Sequence, residues 1–284
     1  MERATTFVPG HVTGFFSAHP APDPRAAGSR GAGLALARGV ETTVAPDGEP
    51  GVWLDGERAD LAAVTRVLDA LDASDVRVDV RSDLPPGRGF GVSGAAALGT
   101  ALSANAALAG RRSENELVGV AHAAEVTAGT GLGDVVAQAR GGVPIRLEPG
   151  GPDHGRLDGV PASRDTRVEW VTFGERSTPD VLGGDTTRLT AAGEAALRAL
   201  VAEPTLDRLF VESRRFAERA GLLTDRVAAA VDRVATAGDR ATMAMLGDTA
   251  VALGTGLSDA GFDPEHARIH PPGATLVGER KERR

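Results

Sequence analysis

Apolar and polar residues alternate along Val76-Arg77-Val78-Asp79-Val80, the two-residue period of a half-buried strand. Val40-Glu41-Thr42-Thr43-Val44 and Val143-Pro144-Ile145-Arg146-Leu147 read as further strands. Between them the period changes. Leu61, Val64, Leu68 and Leu71 recur at helical spacing, and Asn115 to Val126 makes a second amphipathic helix. The stretch Glu148-Pro149-Gly150-Gly151-Pro152-Asp153-His154-Gly155 breaks the pattern as a linker does. Beyond it, Arg167 to Phe173 predicts a strand. Thr190 to Val201, Thr205 to Ala220 and Thr224 to Ala237 each carry apolar residues three and four apart. No repeat or low-complexity tract interrupts this order. The pattern predicts an α+β protein of two domains, residues 1–160 and 161–284.

Composition narrows the function classes. At 284 residues and 42% hydrophobic, the chain can bury a substantial core. No apolar run approaches the roughly 20 residues of a membrane helix, so no membrane partner is expected. No charged region followed by an apolar stretch opens the chain, so no signal peptide is expected and a cytoplasmic location is. Cysteine is absent, which excludes disulfides and thiolate metal sites. The net charge of -8 argues against nucleic acid as the main partner. Among 31 basic residues only Lys281 is lysine, a bias that suits a salt-loving source or a GC-rich genome. Residues 279–284 read as a frayed, solvated tail.

The chemistry concentrates in Leu84-Pro85-Pro86-Gly87-Arg88-Gly89-Phe90-Gly91-Val92-Ser93-Gly94-Ala95-Ala96. A predicted strand leads in and a small-residue helix leads out. Glycines at alternate positions let the backbone approach a ligand without a Cβ in the way. The helix start that follows presents free N–H groups and a positive dipole end, which together form an anion cradle. No Gly-Lys-Ser/Thr follows, so the loop is not a P-loop, and the glycine spacing also fails the dinucleotide pattern. A glycine-rich turn without a ligand remains the bland reading.

This loop resembles the central motif of the GHMP kinase superfamily, approximately P-x-G-x-G-L-G-S-S-A-A. Pro85, Gly87, Gly89, Phe90, Gly91, Ser93 and Ala95 stand in register, while Val92 and Gly94 depart from it. Val8-Pro9-Gly10-His11-Val12-Thr13-Gly14 resembles the family's first motif. Glu125 through Gly133-Asp134, ending with Gly141-Gly142, resembles its segment bearing a metal-binding glutamate and a catalytic aspartate. The usual glycine-rich third motif is replaced by Met245-Leu246-Gly247-Asp248-Thr249. The resemblance is closest to the archaeal branch that phosphorylates pantoate. Phe15-Phe16, Asp23-Pro24, Gly28-Ser29-Arg30-Gly31-Ala32-Gly33, His122-Ala123-Ala124-Glu125 and Val135-Val136-Ala137-Gln138 carry it.

The resemblance implies a ribosomal-S5-like N-domain, a ferredoxin-like C-domain and an active site between them. It implies ATP and Mg²⁺, with ATP held by Pro86, Gly87, Arg88, Gly89, Phe90, Gly91, Val92, Ser93, Gly94 and Ala95. Ser93 and Glu125 would hold the metal, since magnesium needs few protein oxygens. Asp134 would take or orient the proton of the attacking hydroxyl. His11, Thr13 and Arg30 would meet the substrate, with Arg30 first choice for its carboxylate because the flanking glycines imply close approach. The product would be 4-phosphopantoate, on the archaeal route to coenzyme A, and the fold leaves room for a homodimer. Each residue also has a structural reading: Ser93 and Asp134 as helix caps, Glu125 as a solvated carboxylate, His11 as core. Two rival functions stay open: a kinase for mevalonate, homoserine or a sugar, and a nucleotide-binding regulator without catalysis, which Val92 and the altered third motif favour.

Overall fold

The computed structural model describes residues 2–174 and 186–277; the charged tail at 279–284 lies outside them. Two antiparallel strands dominate, β1 (Ala4–His19) and β2 (Gly28–Ala45). They were legible in sequence only as motifs and a fragment. Buried residues occupy both faces along most of their length, so the polar–apolar alternation that marks a half-buried strand is missing. Glycines inside them mark close backbone approach: a Cβ on Gly31 would strike the backbone of Phe15. The run 28–33 is therefore strand, and its glycines face protein.

The first sheet continues with β3 (Gly51–Leu54), β4 (Glu57–Arg58), β5 (Arg77–Ser82), β6 (Pro144–Glu148) and β7 (Arg156–Gly159). Its main path runs from the last strand, β12 (Thr275–Val277), through β1-β2-β5-β3-β4, and β6 pairs with β2 on one side and β7 on the other. Helix α1 (Ala62–Ala70) makes the crossover between the parallel strands β3 and β5. Helices α2 (Val92–Ala107), α3 (Glu114–Ala128) and α4 (Asp134–Arg140) cover one face. A reciprocal Ser113–Glu116 capping box starts α3 and left-handed Gly129 ends it. The expected linker at 148–155 is instead the turn between β6 and β7, tied down by Gly151 N–H to the Arg25 carbonyl at 2.8 Å. Proline and glycine punctuate hairpins and linkers alike, so composition alone could not separate them.

The second sheet, β8 (Arg167–Gly174), β9 (Ala241–Met243), β10 (Asp248–Leu253) and β11 (Glu265–Arg268), has the order β11-β8-β10-β9, all antiparallel. Helices α5 (Thr187–Ala202), α6 (Leu206–Ala220), α7 (Asp225–Thr236) and the short α8 (Gly256–Asp259) accompany it. The last strand, β12 (Thr275–Val277), returns to pair with β1. Helices α5 and α6 lie against β1, where Gly193 meets Phe16 and Gly14 meets Ser213. One continuous apolar cluster runs through both halves. Among the described residues no helix is long and apolar enough to cross a membrane.

Candidate active site

The glycine loop behaves as its composition predicts. Gly87, Gly89 and Gly91 have φ of 71°, 88° and 65°, conformations a side chain would strain. Gly91 is also the cap of α2, and no side chain satisfies the first amides of that helix. Val92 and Ser93 at that helix start line a cleft, together with Gly87, Gly89, Phe90 and Gly91 of the loop. Pro86, Arg88, Gly94 and Ala95 do not line it; Ala95 is fully buried under the helix. Small residues along α2 let it sit deep in the first layer, and Gly99 rests on Thr42.

Ser93 and Glu125 come together. The Ser93 hydroxyl donates to Glu125 Oε2 at 3.0 Å, although the residues are 32 apart in sequence. Gly131 leaves the space that Glu125 fills; a Cβ there would lie 2.8 Å from Oε1. Glu125 is thus buried, not a solvated carboxylate. Burial, then the nearby charge of Asp134, pushes its carboxyl up to about 7 against the hydrogen bond from Ser93.

Asp134 opens α4, but Gly133 occupies the cap position, so the aspartate is not a cap. Its Oδ1 accepts from His11 Nδ1 at 2.7 Å and from Thr13 Oγ1 at 3.3 Å. Burial would raise its pKa, yet the hydrogen bond from His11, then the charge of Arg146 and the Thr13 hydroxyl, hold it below the usual carboxylate range. An ionised carboxylate only accepts, so the proton on the His11 ring sits at Nδ1. Burial lowers the pKa of His11, which leaves it neutral at pH 7. His11 lies fully buried behind Asp134 and outside the cleft lining. Thr13 lines the cleft; His11, expected on the substrate, instead orients the aspartate.

Arg30 is not brought into the cleft. Its Nη1 donates to Glu194 at 2.8 Å and its Nε to the Leu147 carbonyl at 2.7 Å. The cation on the cleft side is Arg146, on β6. It is 2% exposed, and its Nε and Nη1 have no hydrogen-bond partner among the described residues. Burial pulls its guanidinium down to about 10, opposed by Asp134, so it stays charged at neutral pH. Gly133 makes room for it, since a Cβ there would lie 2.7 Å from Nε. Sequence reasoning missed Arg146 because Val143, Ile145 and Leu147 bracket it like a strand with one wet face. The available signal was an arginine inside an otherwise apolar run. Ser29 and Thr130, also unforeseen, line the same wall.

The second half closes the cleft. Met245 and Leu246 line it, and the turn they form is docked on the loop and on β1. Met245 N–H donates to the Thr13 carbonyl at 3.0 Å, and Thr249 Oγ1 to the Arg88 carbonyl at 3.0 Å. The stand-in for the third motif therefore grips the glycine loop from the opposite side.

A left-handed glycine loop opening a helix, a hydroxyl–carboxylate pair and a hydrogen-bonded aspartate are the kinds of group phosphoryl transfer uses. Residues 61–142 match the family described as GHMP kinases N terminal domain. The chain is 37% identical over 233 residues to a pantoate kinase of Thermococcus kodakarensis, covering 76% of both chains. It is 31% identical over 265 residues to a pantoate kinase of Methanospirillum hungatei, covering 89% of this chain and 88% of that one. A solved phosphotransferase related to the coenzyme A biosynthesis pathway superposes with a TM-score of 0.85 at 31% identity, covering 97% and 99% of the two chains. The chain belongs to the GHMP kinase family, and within it to the pantoate kinases. These are two-domain α+β enzymes that take ATP as the phosphoryl donor.

Proposed function

We propose that the protein transfers the γ-phosphoryl group of ATP to the primary hydroxyl of (R)-pantoate, giving (R)-4-phosphopantoate for coenzyme A synthesis in the cytoplasm. The observation that carries this reading is Arg146: a buried cation whose Nε and Nη1 have no hydrogen-bond partner among the described residues, in the same cleft as Asp134 and the phosphate cradle. An acceptor needs a hydroxyl at one end and a carboxylate at the other to satisfy both.

In this reading the amides of α2 and the loop hold the phosphates of ATP. Ser93 and Glu125 offer two hard oxygens side by side, which suits Mg²⁺ and neutralises the awkwardly buried Glu125. When bound, that ion would offset phosphate charge. The acceptor hydroxyl oxygen forms a bond to the γ-phosphorus as the bond to the bridging oxygen breaks, and ADP leaves. The hydroxyl proton passes to Asp134. A carboxylate held below its usual range is a weak base, which suits a loose transition state in which the proton leaves late. Asp134 therefore orients the hydroxyl first and receives its proton last, with His11 and Thr13 fixing its position.

A coupled ADP-release assay with (R)-pantoate, mevalonate and homoserine side by side tests this. Turnover confined to pantoate, with 4-phosphopantoate as product, is expected. Faster turnover of either other acceptor overturns it. ATP binding without turnover on any of the three would favour a regulator.

A further inference from the structure

Four non-glycine residues among those described have a positive φ: Asp55, Asp72, Ala109 and Leu246. Aspartate tolerates this region and alanine is small; a branched leucine at φ 66° is the outlier. It is also the member of the four that lines the active-site cleft. Such a conformation persists only where the surroundings over-determine it, and such sites gather at ligand clamps. The surroundings of this turn do so. Met245 N–H is bonded to Thr13, Gly247 N–H to Ala244 at 3.1 Å, and Thr249 Oγ1 to Arg88. A Cβ on Gly247 would strike the Arg88 carbonyl, so glycine there is required by contact. At 246, where the backbone itself favours glycine, the chain keeps a leucine. Leu246 is only partly buried: it packs on the edge of the core cluster and still lines the cleft.

The cleft has two chemical characters. Asp134, Arg146, Ser93 and Glu125 are polar members of its lining, and Phe16, Leu132, Met245 and Leu246 are apolar ones. We infer that Leu246 is a specificity-determining residue, held in its strained conformation to contact the branched apolar middle of the acceptor. The inference rests on pantoate as acceptor. Pantoate carries two methyl groups on the carbon between its primary hydroxyl and its hydroxy-acid end. With the hydroxyl at Asp134 and the carboxylate at Arg146, that carbon is left to the apolar members of the lining. Leu246 then separates pantoate from linear hydroxy acids with the same two ends.

The test compares kcat/KM for (R)-pantoate with that for (R)-2,4-dihydroxybutanoate, which lacks only the methyl groups. It uses the parent, Leu246→Gly and Leu246→Asn, with a melt of each. Glycine relieves the backbone strain and asparagine tolerates it, which offsets the lost packing at the edge of the core, so the melting temperature of each should move little. The parent should favour pantoate by tenfold or more, and both variants should lose about tenfold of that preference. The loss should fall on pantoate more heavily than on the unmethylated acid. Folded variants that keep the parent's preference overturn the inference, as does a clear drop in melting temperature, which would make Leu246 structural. A parent inactive on pantoate defeats the underlying reading, and this shows before any variant is made.

Discussion

Arg30 and Arg146 are neighbours across a strand pair and have opposite fates. In the β2–β6 register Gly31 stands opposite Arg146, so Arg146 shares a face with Gly31, and Arg30, one residue earlier, points to the other face. On that other face charge is matched. Glu194 accepts from Arg30, Ser17 and His19, and α5 is thereby fastened to the β1–β2 hairpin. On the cleft face charge is left incompletely matched: two nitrogens of Arg146 have no hydrogen-bond partner among the described residues, and Glu125 is pushed towards neutrality. A matched surface pair holds a fold together weakly. An unmatched buried charge is costly and persists where a ligand completes it. The same residue types, one register position apart, divide into scaffold and site.

The largest effect should come from the group on the cleft face nearest the reacting oxygen. Asp134→Asn should keep fold and ATP binding and lose about 10²- to 10⁴-fold in kcat. Asparagine is nearly isosteric, and Gly133 remains the helix cap. A variant that melts like the parent and retains more than about a tenth of its rate removes Asp134 from the reaction.

Glu125 tests whether the cleft face is destabilising by design. Its carboxyl rises from 4.5 to about 7 in the folded state, so between these values the folded protein holds a proton that the unfolded chain releases. Stability from this group is therefore complete below pH 4.5 and lost as pH rises through 7. At about 1.4 kcal/mol per pH unit the loss approaches about 3 kcal/mol by pH 8. Without divalent cations, Glu125→Gln should melt above the parent at pH 8 and beside it at pH 4.5. With magnesium at pH 8 the parent should gain and the variant should not. Equal melts at pH 8 without cation would mean the carboxylate is solvated after all.

Much of the scaffold was legible from periodicity, and the phosphate loop from glycines at alternate positions, because there local backbone geometry alone requires them. What was not legible depends on register and return. The face taken by Arg146 follows from which residue of β2 it meets. His11 stands behind Asp134, 123 residues away, because β1 passes under the start of α4. The return of β12 to β1 and the docking of Met245–Thr249 on the loop join segments more than 150 residues apart. Glycines flanking Arg30 marked close approach correctly, but to the neighbouring strand.

Arg146→Gln sharpens the contrast on the substrate side. Losing a charge-assisted contact worth about 1.5–3 kcal/mol should raise the pantoate KM roughly 10- to 100-fold, with the ATP KM nearly unchanged. The melting temperature should change little, because a costly buried cation is removed together with the charge that favours ionised Asp134. An unchanged pantoate KM would move the carboxylate contact elsewhere.

Arg30→Ala should have the smallest effect and is the sharpest check on the comparison. Arg30 is 30% exposed and its partner Glu194 is 22% exposed, so solvent screens the pair and its loss should cost at most about 1 kcal/mol. The pantoate KM should stay within about twofold, since Arg30 is spent on Glu194 and Leu147 and faces away from the cleft. Glu194→Gln should behave alike, and the double variant should lose less than the sum, because each single change already breaks the shared contact. If Arg30→Ala instead raises the pantoate KM as strongly as Arg146→Gln, the two faces are not chemically distinct. The division between matched scaffold and unmatched site would then fail at the register position where it was drawn.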